Sequence, residues 1–202
     1  MRLTKKPDIL AAVLASTLTA TPALTQSTDP PIRIEDEARL SVLDESLGHA
    51  LRQAFAGGDK AGLAVVTEAL NGQPLPPDQA LSALEGEWNC RTIKLGGNLP
   101  LVVYEPFRCH ADGTAFEKLT GSQRTKGSVY EYNGALIYLG TGYVSGDNPP
   151  DYTGLPPETD PQASPQRLPQ AGLVEMTSDQ SGRIILPRPY VESETDLLVL
   201  TR

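Results

Sequence analysis

Between residues 84 and 110 the chain runs as two extended stretches separated by Gly96, Gly97 and Asn98. Trp88 and Cys90 share one face of the first stretch, and Leu101, Val103, Phe107 and Cys109 share one face of the second. This is the period-two spacing of a half-buried antiparallel hairpin. Upstream the period is helical: Leu40, Leu43, Leu47, Ala50, Leu51, Ala54 and Phe55 recur at steps of three and four until Gly57 and Gly58 interrupt them. Asp59 is placed to cap a second helix carrying Leu63, Val65, Val66, Ala69 and Leu70, which Asn71 and Gly72 end. Pro74, Pro76 and Pro77 forbid continuation, and Asp78 is expected to cap a last short helix through Leu84. These helices are too small to hold a core alone, so they are expected to pack on the C-terminal part of the chain, across one end of a sheet.

After Gly86 short runs of Val, Ile, Leu, Tyr and Thr alternate with Gly, Asn, Asp and Pro. Strands are predicted near residues 87–95, 101–110, 115–121, 127–132, 135–140, 172–177, 183–186 and 196–201. Turn chemistry at Asp112-Gly113, Asn133-Gly134 and residues 179–182 supports hairpin order. The fold class is therefore mainly β with an N-terminal helical segment (α+β): an antiparallel meander of about eight strands that closes as a small barrel, with a two-layer β-sandwich as the alternative. The Pro-rich stretch 146–170 is expected to be irregular, either a flexible lid or a tolerated insertion.

The N-terminus reads as an address. Arg2, Lys5 and Lys6 precede an uncharged run rich in Ala, Leu, Thr and Ser, the n- and h-regions of a signal peptide over residues 1–25, with cleavage after Ala23 or Thr25. Residues 26–33 form a flexible lead-in, 34–84 the helical segment and 85–202 the barrel. Export to the periplasm or medium favours a buried Cys90–Cys109 disulfide over two reduced thiols. Cleavage removes three positive charges and one negative, taking the formal charge from -8 to -10. So acidic a protein is a poor ligand for nucleic acid or an anionic membrane surface. No metal spacing links the two cysteines with His49 and His110, and no cofactor motif is present.

Gly86-Glu87-Trp88, just after a short helical turn, resembles the Gly-x-Trp opening of lipocalin-like (calycin-like) barrels, with Trp88 and Phe107 as core anchors. A wider set of blocks is similar to an exported bacterial family of unknown function, the one numbered four-eight-nine-three. These are Cys90-Arg91-Thr92-Ile93-Lys94-Leu95-Gly96, Glu105-Pro106-Phe107-Arg108-Cys109, Lys118-Leu119-Thr120-Gly121-Ser122-Gln123-Arg124, Leu186-Pro187-Arg188-Pro189 and Glu192-Ser193. The resemblance implies an exported bacterial protein and carries no activity. His110 and Ile184 depart from its pattern, and the Pro-rich stretch is longer than usual.

The densest polar block is 118–124. Lys118 alternates with Phe116, so it belongs on the inner face. Lys94, Lys118, Ser122, Gln123, Arg124 and Glu192 are the candidate ligand-binding residues: cations meeting in a barrel mouth hold a carboxylate, phosphate or sulfate. The competing reading is a solvated turn with Lys118 paired to Glu117 or Glu131. Tyr104, Tyr130, Tyr132, Tyr138 and Tyr143 are read as packing residues rather than a cavity wall. No nucleophile elbow and no phosphate-loop spacing occurs. The function expected is a non-enzymatic binding or interaction module for a small molecule or a protein. The alternatives are a protease-inhibitor-like barrel or an enzyme using the 118–124 block with Glu192.

Overall fold

A computed structural model describes Met1 and residues 29–202. The expected signal peptide, apart from Met1, and the start of the lead-in lie outside the described residues. Among the described residues no helix is long and apolar enough to cross a membrane.

Among the described residues four helices come first: α1 (Ile34–Ser41), α2 (Leu43–Gly57), α3 (Lys60–Ala69) and α4 (Pro77–Leu84). The long apolar stripe read as one helix breaks at Val42, which leaves the helical region at φ -110° and ψ 21°. The break lets α1 lie along the outside of β7 (Arg167–Met176) while α2 crosses β1 (Gly86–Leu95) and β8 (Ser181–Pro187). Asp59 caps α3, its carboxylate accepting from the Gly62 N–H at 2.9 Å. Asp78 is not a cap: Pro76 takes that position with Pro77 as the first helical residue, and Asp78 sits in the first turn.

The remaining strands are β2 (Leu101–Val103), β3 (Phe107–Asp112), β4 (Ala115–Lys118), β5 (Gln123–Tyr132), β6 (Ala135–Val144) and β9 (Thr195–Thr201). All neighbours are antiparallel, and β9 pairs back onto β1 over Asn89↔Thr201 to Leu95↔Thr195. That pairing closes an eight-stranded barrel in the order β1-β3-β4-β5-β6-β7-β8-β9, with β2 as an extra strand on the free upper edge of β1. Closure rules out the two-layer sandwich and removes the edges an open meander would expose.

Cys90 and Cys109 are disulfide-bonded, their Cα atoms 5.8 Å apart. They sit diagonally, since Trp88 faces Cys109 and Cys90 faces Phe107. Between that ladder and the β1–β2 ladder the register slips: the step from Cys90 to Ile93 opposes the longer step from Phe107 back to Val103. The extra residue is a bulge, and a bulge reverses the side of the sheet on which later side chains emerge. Phe107 and Cys109 therefore point into the barrel, whereas Leu101 and Val103 point out at the helices. This corrects the single face assigned to all four from the sequence.

The barrel interior is apolar at one end. Trp88, Cys90, Phe116, Val129, Leu136, Val174, Met176, Ile184 and Leu200 fill it, with Leu84 and Ala80 of α4 as the plug. The Trp88 indole N–H donates to the Leu84 carbonyl at 2.6 Å. Two further clusters lie outside the wall. One joins Ile93, Leu95, Ile185 and Leu197 to α2 and α3; the other joins Ile137, Leu139 and Ala171 to Tyr152 and Leu155 of the Pro-rich stretch. Buried Arg183 ties α3 to the barrel: it donates to the carbonyls of Ala69 and Asn71 and pairs with Glu175 at 2.5 Å.

The Pro-rich stretch is a strap. Its ends are joined by Arg167 and Asp147 through two hydrogen bonds of 2.7 and 2.8 Å, and Tyr152 donates to the buried Asp36 carboxylate of α1. Strand β7 starts at Arg167, inside the part read as irregular, and carries Pro169 opposite Thr141. A proline argues against a central strand because it lacks a donor. Here its carbonyl still accepts from Arg39 at 3.0 Å.

Candidate functional site

The unplugged end of the barrel is polar inside. Strict alternation carries each wall from the apolar floor to this mouth: Trp88, Cys90, Thr92 and Lys94 on β1; Val129, Gly127, Thr125 and Gln123 on β5; Leu136, Tyr138, Gly140 and Gly142 on β6; Leu200, Leu198 and Asp196 on β9. Glycines on β6 leave the room. A Cβ on Gly140 would lie 2.1 Å from the Tyr138 hydroxyl oxygen, and one on Gly142 would lie 2.8 Å from the Gln170 side-chain nitrogen.

Two small cavities occupy the space, each of about 60 Å³. The inner is lined by Thr92, Lys118, Thr125 and Tyr138, the outer by Arg39, Lys94, Tyr143 and Tyr190; Gln123, Arg124, Gln170, Leu186 and Asp196 line both. Shared walls make them two chambers of one mouth.

Lys118 is the unusual residue. Its side chain is 6 % exposed. It donates to the Gln123 carbonyl at 2.7 Å and stands 3.8 Å from the centre of the Phe107 ring. Among the described residues it forms no ion pair, so the expected surface pairing with Glu117 or Glu131 does not occur. Burial, reinforced by the nearby charges of Lys94 and Arg124, lowers its ammonium to about 8.

Lys94 pairs with the Glu192 carboxylate and reaches the Gln123 side-chain oxygen at 3.4 Å. Burial works to lower its pKa, but Asp196 and Glu192 outweigh it and the net shift is upward. Asp196 stands opposite Lys94 in the β1–β9 ladder. One of its oxygens accepts from the Ser193 hydroxyl at 2.5 Å. Burial pushes its carboxyl up to about 6, against the pull of Lys94 and the Ser193 hydrogen bond. Deeper in, Tyr138 and Thr125 share a hydroxyl–hydroxyl contact of 2.5 Å, and burial raises the phenol pKa.

Of the six residues expected at the site, five meet at the mouth. Lys94, Lys118, Gln123 and Arg124 line the cavities, and Glu192 reaches the rim through Lys94. Ser122 is exposed, lines neither chamber, and contributes its backbone carbonyl to Ser145. Of the five tyrosines, Tyr138 and Tyr143 are cavity-lining, while Tyr104, Tyr130 and Tyr132 are not part of the mouth. Sequence reasoning passed over Asp196 and Gln170. Asp196 alternates with Leu198 and Leu200, the signal that located Lys118; Gln170 was hidden behind Pro169.

A family model described as Domain of unknown function (DUF4893) matches residues 30–200. No curated protein and no solved structure matches the chain.

Proposed function

We propose that this chain, which belongs to the DUF4893 domain-of-unknown-function family, is an exported binding module that takes a small anionic ligand into the open end of its barrel. The observation that carries the reading is Lys118: a buried ammonium facing a cavity, beside Arg124, with no carboxylate partner among the described residues. A buried charge held only by a carbonyl and an aromatic face, with no ionic partner, is costly in a folded chain, and a ligand carboxylate or phosphate is its natural complement. Arg124 alternates with inward-facing Gln123 and Thr125 and so reaches the rim from the outer side of β5. Its Nε donates to the Gly121 carbonyl at 3.2 Å, and its remaining guanidinium nitrogens are the donors such a group prefers. Export rests on the basic and apolar run before residue 26 and fits the buried disulfide.

Calorimetric titration with acetate, propionate, phosphate and sulfate tests the site. Saturable binding of at least one, lost in Lys118→Met, supports the reading; no binding to any overturns it. Amino-terminal sequencing of the secreted protein tests export, with a start at Leu24 or Gln26 expected. A second reading, an enzyme built on the same mouth, is favoured by Lys118 and Asp196 lying near 8 and 6, where each can exchange a proton at neutral pH. It requires turnover of the bound molecule, which product analysis after titration detects.

A further inference from the structure

The mouth carries more than cations. In the closed ring β9 stands three places from β4 and four from β5, so Asp196 lies across the barrel from Lys118 on β4 and Arg124 on β5. One Asp196 oxygen is held by Ser193, and the other has no hydrogen-bond partner among the described residues. The Gln170 side chain beside it has none either, although both line the two chambers. A simple anion would satisfy one wall and leave a carboxylate facing it.

Charge fixes the class further. Of the ionic side chains lining the chambers, Arg39 is paired with Asp36 and Lys94 with Glu192. Lys118, Arg124 and Asp196 are left without an ion pair among the described residues, two positive charges against one negative, Arg124 being held only by the Gly121 carbonyl. A ligand with one net negative charge neutralises the set; a zwitterion leaves a positive charge buried, and a dianion a negative one. Chambers of about 60 Å³ admit a molecule of only a few heavy atoms.

We infer that the ligand is a small hydroxycarboxylic acid, its carboxylate taken by Lys118 and Arg124 and its hydroxyl donated to Asp196. This rests on the anion site proposed above and names its ligand class. Recognition of the hydroxyl comes from the asymmetry of polar groups in a confined site, because an analogue lacking it leaves the chamber-lining Asp196 oxygen without a ligand partner.

Matched probes test it. Lactate and propionate differ by one hydroxyl, and alanine replaces that hydroxyl with an ammonium. Each is titrated into the purified chain, into Asp196→Ala and into Lys118→Met, with circular dichroism confirming that the variants fold. Lactate is expected to bind about tenfold or more tighter than propionate, the range a hydrogen bond to a charged group supplies. It should also exceed alanine, and Asp196→Ala should bring lactate and propionate together. Equal binding of lactate and propionate to the unaltered chain overturns this inference, and so does tighter binding of alanine. The anion site itself still stands in those cases if Lys118→Met abolishes binding of both acids. Failure of lactate and propionate alike overturns this inference, and the anion site falls with it only if acetate, phosphate and sulfate fail to bind as well.

Discussion

The Glu192 carboxylate pairs with the Lys94 ammonium at the rim of the barrel from a left-handed backbone, φ 74°. Glutamate gains nothing from that conformation, which costs a side-chain-bearing residue about 1 kcal/mol or more. Its backbone is held by the Asn98 N–H, which donates to the Glu192 carbonyl at 2.9 Å. The Glu192 side chain is 44 % exposed but that of Lys94 only 8 %, so removing the carboxylate strands a nearly buried ammonium.

Glu192→Gly is therefore expected to keep about 1 kcal/mol more stability than Glu192→Ala, because both strand Lys94 and glycine alone adopts positive φ freely. Glu192→Ala keeps the strain and loses the pair, and should lower stability. Urea denaturation of the two variants side by side checks the order; a glycine variant less stable than the alanine variant contradicts it.

Lys118→Met should raise stability while removing anion binding. Methionine matches the stem in volume and does not bring a charge into the barrel, so the desolvation cost of the ammonium disappears. Loss of the Gln123 hydrogen bond and the Phe107 contact offsets this in part, for a net gain of about 1 kcal/mol. The Lys118 pKa is lowered in the folded state, so the unfolded chain binds more protons between about 8 and the ordinary lysine value of 10.5. The unaltered protein then gains stability over that window, and its deficit relative to Lys118→Met should shrink as pH rises through it. A gap that stays constant with pH refutes the assignment.

Asp196 gives the opposite slope in acid. Its carboxyl is raised from 3.8 to about 6, so the folded state holds a proton that the unfolded state has released. The stabilising contribution is fully present below 3.8 and is lost as pH rises through 6. Asp196→Asn cannot titrate there. Its stability relative to the unaltered chain should therefore climb between pH 4 and 6 and level off above, as followed by thermal melts across that range.

Gly140→Ala tests the packing of the mouth. The new methyl would meet the Tyr138 hydroxyl oxygen at 2.1 Å, and that hydroxyl is fixed by Thr125. Overpacking of this kind is expected to cost about 1–3 kcal/mol. Gly134→Ala, with no atom within 4 Å of the new Cβ but φ 78°, should lose stability through backbone strain without changing ligand binding. Denaturation and titration together separate the two.

Much of this architecture was legible in the residues. Period-two alternation with Phe116 assigned Lys118 to the inner face, turn residues placed most of the hairpins, and helical spacing located the segment that wraps the barrel. The pairing of Cys90 with Cys109 came from the hairpin. Each of these is set by local geometry, the side-chain period of a strand or the pitch of a helix, which a sequence displays directly.

Ring closure, the bulge and the strap were decided elsewhere. Alternation tells which face a side chain takes but not which strand stands across the lumen, so nothing local joins Asp196 to Lys118; the β1–β9 ladder does that. One extra residue near Pro106 turned Leu101 and Val103 outward, because a bulge reverses parity without changing composition. Prolines hid the start of β7 and glycines the end of β6, since both residues signal interruption where neighbouring strands supply the missing constraint. Single strands were written in the sequence; the charged mouth exists only where eight of them meet.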